Sequence, residues 1–138
     1  MSDATEQQRW ERGAQTMAEV YGDVVPVPPP GNLDFADLMV KNLFGEVWSR
    51  KNLSIRDRRL LTMGAIAASG GADTFVIQVR AGLAKGEFTA DQVREMLIHL
   101  VQYVGYPRVA SLLGPVETAL HEAAEAAPAA GTADGEEA

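Results

Sequence analysis

Residues 79–107 read VRAGLAKGEFTADQVREMLIHLVQYVGYP, and their spacing predicts two helices joined by a tight turn. Val93, Met96, Leu97, Leu100, Val101 and Val104 fall at i, i+3, i+4, i+7, i+8 and i+11, the apolar face of one helix. Thr89 and Gln92 supply a T-x-x-Q pattern, in which hydroxyl and amide satisfy each other's orphan backbone N–H groups, so that helix begins there. Gly86 suits the position just past the preceding helix, where a residue without Cβ is favoured. That preceding helix would be capped by Asp73 and carry Phe75, Val76, Val79 and Leu83. Gly105 and Pro107 end the second.

Working outward, the same period persists. Trp10, Ala14, Met17, Val20 and Tyr21 recur at steps of three or four and define a first helix closed by Gly22. Pro26, Pro28, Pro29, Pro30 and Gly31 then impose an extended connector, because proline fixes φ and disfavours helix in the residue before it. Asn32 or Asp34 would cap the next helix, with Phe35, Leu38, Met39, Val47 and Trp48 as its apolar face. Ser54 opens a third, with Asp57 near its positive end. This third helix runs through LLTMGAIAA (residues 60–68), apolar on every side, as in a helix buried all round. So short a domain cannot bury it alone, which points to a subunit interface. A last helix begins near Arg108, carries Leu112, Leu113, Val116 and Leu120, and is expected to kink at Gly114-Pro115. No strand-like alternation occurs. The expectation is an all-α bundle of five to six helices in one domain over 1–126, with a disordered acidic tail over 127–138.

Composition removes several functions. The 138 residues contain no cysteine, which excludes disulfides, thiolate metal sites and thiol catalysis. Two histidines, His99 and His121, provide too few donors in compatible spacing for a metal centre. No metal and no cofactor are expected. The net charge is −7, and five acids from Glu122 onward, with no Lys or Arg among them, carry most of it. A near-neutral body argues against nucleic acid. A polar N-terminus and no apolar run of about 20 residues argue against a leader or a membrane span, so a cytoplasmic protein is expected. Arg50, Lys51, Arg56, Arg58 and Arg59 form a basic cluster with Asp57 as its acid. It reads either as a solvated face or as an anion-attracting patch suited to a carboxylate.

Three segments in this order resemble the carboxymuconolactone decarboxylase family, within the wider alkylhydroperoxidase D-like group. They are LFGEVWSR (43–50), LSIRDRRLLTMGAIAA (53–68) and the opening stretch with its V-R-A-x-L-x-x-G, T-x-x-x-V-x-E and H-L-x-x-Y-x-G-[aromatic]-P motifs. The resemblance covers roughly residues 9–121. It implies a helical subunit that assembles into trimers or hexamers. It also implies one of two chemistries. The peroxidase branch uses a C-x-x-C pair; here that stretch is Gly71-Ala72-Asp73-Thr74, and no thiolate can form. The decarboxylase branch acts on a lactone carboxylate and carries a Glu and a His where this chain has Arg59 and Gln78. Glutamine does not titrate and arginine stays protonated, so neither replaces the acid or the base.

Two readings follow. In the first, the chain is a lyase or isomerase acting on a small carboxylate or lactone in a helical pocket. Arg59 and Arg80 would hold the carboxylate through guanidinium forks, beside Trp48 and Tyr103. Gln78 would hydrogen-bond the developing enolate, and His99 or Glu46 would move the proton. In the second, the chain is a non-catalytic oligomer that binds a metabolite or a protein partner. Each residue also has a structural alternative: Arg80 could pair with Asp73 or Glu87, Trp48 could be core, and His99 could be an interface histidine.

Overall fold

The computed structural model describes residues 3–127, and among these every regular element is helical. They are α1 (Asp3–Tyr21), α2 (Asp34–Leu38) running directly into a π-helical segment (Met39–Trp48), α3 (Ile55–Ser69), α4 (Ala72–Ala84), α5 (Ala90–Val104) and α6 (Tyr106–Ala126). The all-α expectation holds. The tail expected over 127–138 lies, beyond Ala127, outside the described residues. The chain falls into two compact units that divide inside α3, between Thr62 and Met63.

In the first unit, α1 packs along the π segment. The core joins Met17 and Val20 of α1 to Val40, Phe44 and Trp48, with Trp10, Ala14, Tyr21, Val25, Val27, Met39 and Ile55 around them. Tyr21 meets Phe44 edge-on at 5.7 Å between centroids, a favoured aromatic arrangement. Close approach of the two backbones is possible because both contacts are glycine: a Cβ on Gly45 would lie 3.4 Å from the Gly13 Cα.

The second helix corrects the sequence expectation. Its N-cap residue is Leu33, with no side-chain cap, rather than Asn32 or Asp34. Phe35 is 76% exposed, and Leu38 and Val47 are exposed as well, whereas Val40, Phe44 and Trp48 are buried. The i→i+5 bonds of a π-helix wind the chain more loosely than an α-helix. Val47 lies within that segment, whereas Phe35 and Leu38 precede it in the short α2, which buries none of its residues.

In the second unit, α6 packs against both α4 and α5. The start of α5 follows the sequence reading: Thr89 accepts from the Gln92 backbone while the Gln92 side chain accepts from that of Thr89. Gly86 has φ +68, and the bonds Glu87 N–H to Gly82 O and Gly86 N–H to Leu83 O close α4 in a Schellman motif. One cap differs from expectation. Gly71, not Asp73, precedes α4, and Asp73 sits in the first turn. Gly105 (φ +100) separates α5 from α6, which begins at Tyr106 and continues through Pro115. Pro107, expected to help end α5, lies instead in the first turn of α6, where its missing N–H would be unpaired anyway.

Within the single chain the third helix is buried along one face. Arg59, Met63 and Ala67 are buried at steps of four, while Leu61, Ala65 and Ala68 are exposed. Its start does match: Ser54 Oγ accepts from the Asp57 N–H at 3.0 Å.

Candidate active site

Burying a polar group without compensation is costly, so the polar side chains that a helical core does enclose are informative. Among the described residues these are Thr16, Arg59 and Gln78. Thr16 is accounted for locally, since its hydroxyl donates to the Arg12 carbonyl one turn back. The other two, Arg59 and Gln78, are the positions that the motif resemblance singled out in the sequence.

Arg59, on the first turns of α3, has no exposed surface. Its guanidinium donates to the Val20 carbonyl and lies 5.8 Å from the centroid of the Tyr21 ring. Val20 sits in the last turn of α1, where carbonyls lack intrahelical donors and the helix dipole favours a cation. Arg59 thus ties down the end of α1. Gln78, on α4, is 4% exposed on the helix face that also buries Phe75, Val79, Ala81 and Gly82.

The remaining candidates lie elsewhere on their helices. Glu46, on the π segment, accepts from Arg9 at 2.9 Å, and Arg9 also bonds Asn42 at 2.9 Å and Glu6 at 3.0 Å. Lys41 completes this network at 2.9 Å from Glu6. Lys41 first and Arg9 second hold the Glu6 carboxyl below its ordinary value. A depressed carboxylate stabilises above its unfolded pKa and loses that contribution as pH falls through the folded one. Exposed as it is, the network is screened by salt.

Arg80 pairs with Glu122 of α6 at 2.6 Å, 42 residues on, rather than with Asp73 or Glu87. On α5, His99 and the 80% exposed Tyr103 stand one turn apart with ring centroids 5.1 Å from each other. Trp48 is nearly buried, 6.2 Å from Phe44 between centroids, and its remaining edge lines an open cleft of about 520 Å³. Arg12, Gln15, Thr16 and Glu19 of α1 line the same cleft. Arg12 was not singled out from sequence. Its i, i+3, i+4, i+7 relation to these three residues is the signal that would have found it.

A sequence profile of the carboxymuconolactone decarboxylase family matches residues 34–118. The chain belongs to the carboxymuconolactone decarboxylase family. A 4-carboxymuconolactone decarboxylase from Acinetobacter baylyi is 31% identical over 107 residues, covering 74% of this chain and 79% of that relative. The matched region begins at α2 and ends within α6, so it contains Arg59 and Gln78 together with Glu46, Arg80, His99 and Tyr103. Among the described residues no helix of this family member is long and apolar enough to cross a membrane.

Lack of cysteine leads to an expected outcome for this family member. Supplied with a dithiol and an organic hydroperoxide, the purified protein should show no catalytic consumption of peroxide. Its methionines can be oxidised once each but do not cycle without a reductase. Sustained dithiol-coupled turnover would contradict this.

Proposed function

We propose that this protein is a decarboxylase-like lyase acting on a small carboxylate or lactone, cytoplasmic and assembled as a trimer or a hexamer. The observation that carries the reading is the burial of Gln78 on α4, at the position where the family resemblance places a histidine. Loss of CO₂ leaves negative charge on the remaining fragment. A desolvated amide N–H directed at that charge stabilises it far more than the same donor would in water. Gln78 is the donor in this reading, and His99, with Tyr103 against its ring, moves the proton. Arg80 holds the substrate carboxylate when it exchanges Glu122 for it. Arg59 acts by fixing the end of α1 rather than by touching substrate.

One observation favours the second reading, a non-catalytic binder that keeps the fold. Arg59, Arg80 and Glu46 are each engaged within the chain, by Val20, Glu122 and Arg9. Heat of binding and CO₂ release, measured together on carboxylated γ-lactones, separate the two. The lyase reading expects both signals. Binding heat without CO₂ supports the binder.

Assembly is supported by apolar side chains left at the surface of the second unit. Ile98, Tyr106 and Leu113 are exposed and, with Leu97, Val101 and Val109, line a groove of about 270 Å³ between α5 and α6. Light scattering at micromolar concentration should give three or six times 14.8 kDa, and Ile98→Asp should shift it toward the single chain. A stable wild-type monomer would overturn the assembly.

A further inference from the structure

We infer that the cleft between α1 and residues 48–55 binds a small, ring-bearing polyanion, through residues outside the reading given to Gln78 and without need of turnover.

Its lining is of two kinds. Trp48, Leu53 and Ile55 supply apolar surface, and Arg12, Arg50 and Lys51 supply positive charge with a single acid, Glu19. The excess of positive charge is available to a ligand, since among the described residues none of these three cations has an ion-pair partner. This contrasts with the other end of α1, where Arg9 and Lys41 are neutralised by Glu6 and Glu46. About 520 Å³ lies within the range of small-molecule sites.

The neutral groups sort in the same direction. Ser49 Oγ donates to the Gly45 carbonyl at 2.7 Å and Thr16 Oγ1 to the Arg12 carbonyl at 3.1 Å, so both protons are used. Ser54 Oγ accepts from the Asp57 N–H, which leaves its own proton free to donate. The Gln15 amide adds two more donors. A site rich in unspent donors and cations, with apolar surface among them, selects an anion that also carries a flat ring. A lone inorganic anion would leave Trp48, Leu53 and Ile55 in contact with water. A neutral ring would leave the cations without a counter-charge. Carboxylate and phosphate groups satisfy these cations equally, because guanidinium forks match both.

Trp48 reports on the cleft if the second indole is removed. The Trp10 Nε1–H is buried without a partner, so Trp10→Phe deletes no hydrogen bond and leaves Trp48 as the sole indole. Titration of this variant with benzene-1,3,5-tricarboxylate should change Trp48 emission saturably and weaken as salt is raised. Benzoate should bind at least tenfold more weakly, and phenyl phosphate between the two. Pyrophosphate, which has charge but no ring, should bind more weakly than the tricarboxylate. Arg50→Gln and Lys51→Gln should each raise the tricarboxylate Kd three- to tenfold, and Arg12→Gln likewise. No saturable change with the tricarboxylate, an affinity untouched by all three substitutions, or pyrophosphate binding as tightly as the tricarboxylate would each overturn the inference.

Discussion

Replacing Gly13 with alanine should lower stability by about 3 kcal/mol, dropping Tm by about 10 °C in a chain of this size. The cause is backbone against backbone. An ideal Cβ at Gly13 would fall inside the van der Waals envelope of the Val40 carbonyl, with the Val40 side chain next nearest. A flexible side chain could swing away, but this carbonyl belongs to the π segment and moves only with it. Separating α1 from that segment would open the Met17, Val20, Val40, Phe44 and Trp48 core. A mid-helix glycine already costs about 0.5–1 kcal/mol relative to alanine, so close packing must outweigh the propensity that Ala would restore. Gly114 is the control: it is also helical, and a Cβ there meets nothing within 4 Å. Gly114→Ala should be neutral or slightly stabilising. Equal thermal melts for the two variants would refute the account of Gly13.

Arg59→Met should cost about 2–3 kcal/mol, read as a fall in Tm without loss of helical signal at low temperature. Two effects oppose each other. A buried guanidinium carries a desolvation penalty, and apolar replacement of buried charge is sometimes stabilising. Methionine, however, leaves the Val20 carbonyl without its donor in the last turn of α1, at about 1–3 kcal/mol. It also removes the cation from the Tyr21 ring, worth about 0.5–2 kcal/mol. These losses exceed the relief, since the long stem of Arg59 is already packed and methionine only replaces it. A rise in Tm would show that desolvation dominates. Sequence alone assigns Arg59 to a substrate carboxylate; the absence of any exposed Arg59 surface is what redirects it toward stability.

What was legible from sequence was local chemistry. Thr89 with Gln92, Gly86, Gly105 and Ser54 each act within a few residues, and each boundary they define is where the residue types place it. The π segment was not legible, because nothing in residues 39–48 distinguishes i→i+5 from i→i+4 bonding, and its buried face carries Val40, Phe44 and Trp48 while Val47 is exposed. Long-range pairing was likewise invisible: Arg80 has acids nearby in sequence, yet Glu122 is the one that folding brings to it. At the candidate site, the positions Arg59 and Gln78 came from the motif resemblance, and their burial came from the structure. Periodicity alone would have put a charged residue such as Arg59 at the surface. The basic cluster at Arg50 and Lys51 was visible as charge, but its conversion into a cleft depended on Arg12, contributed by a helix nearly forty residues earlier.

The lyase reading rests most directly on one comparison, CO₂ release from a carboxylated γ-lactone by the wild-type protein and by Gln78→Met at matched thermal stability. Methionine keeps the volume and removes both amide donors. If Gln78 stabilises the developing negative charge, the wild type releases CO₂ and the variant loses about 10²–10³ in kcat with little change in KM. No CO₂ from the wild type, or equal kcat in the two proteins, would contradict the account.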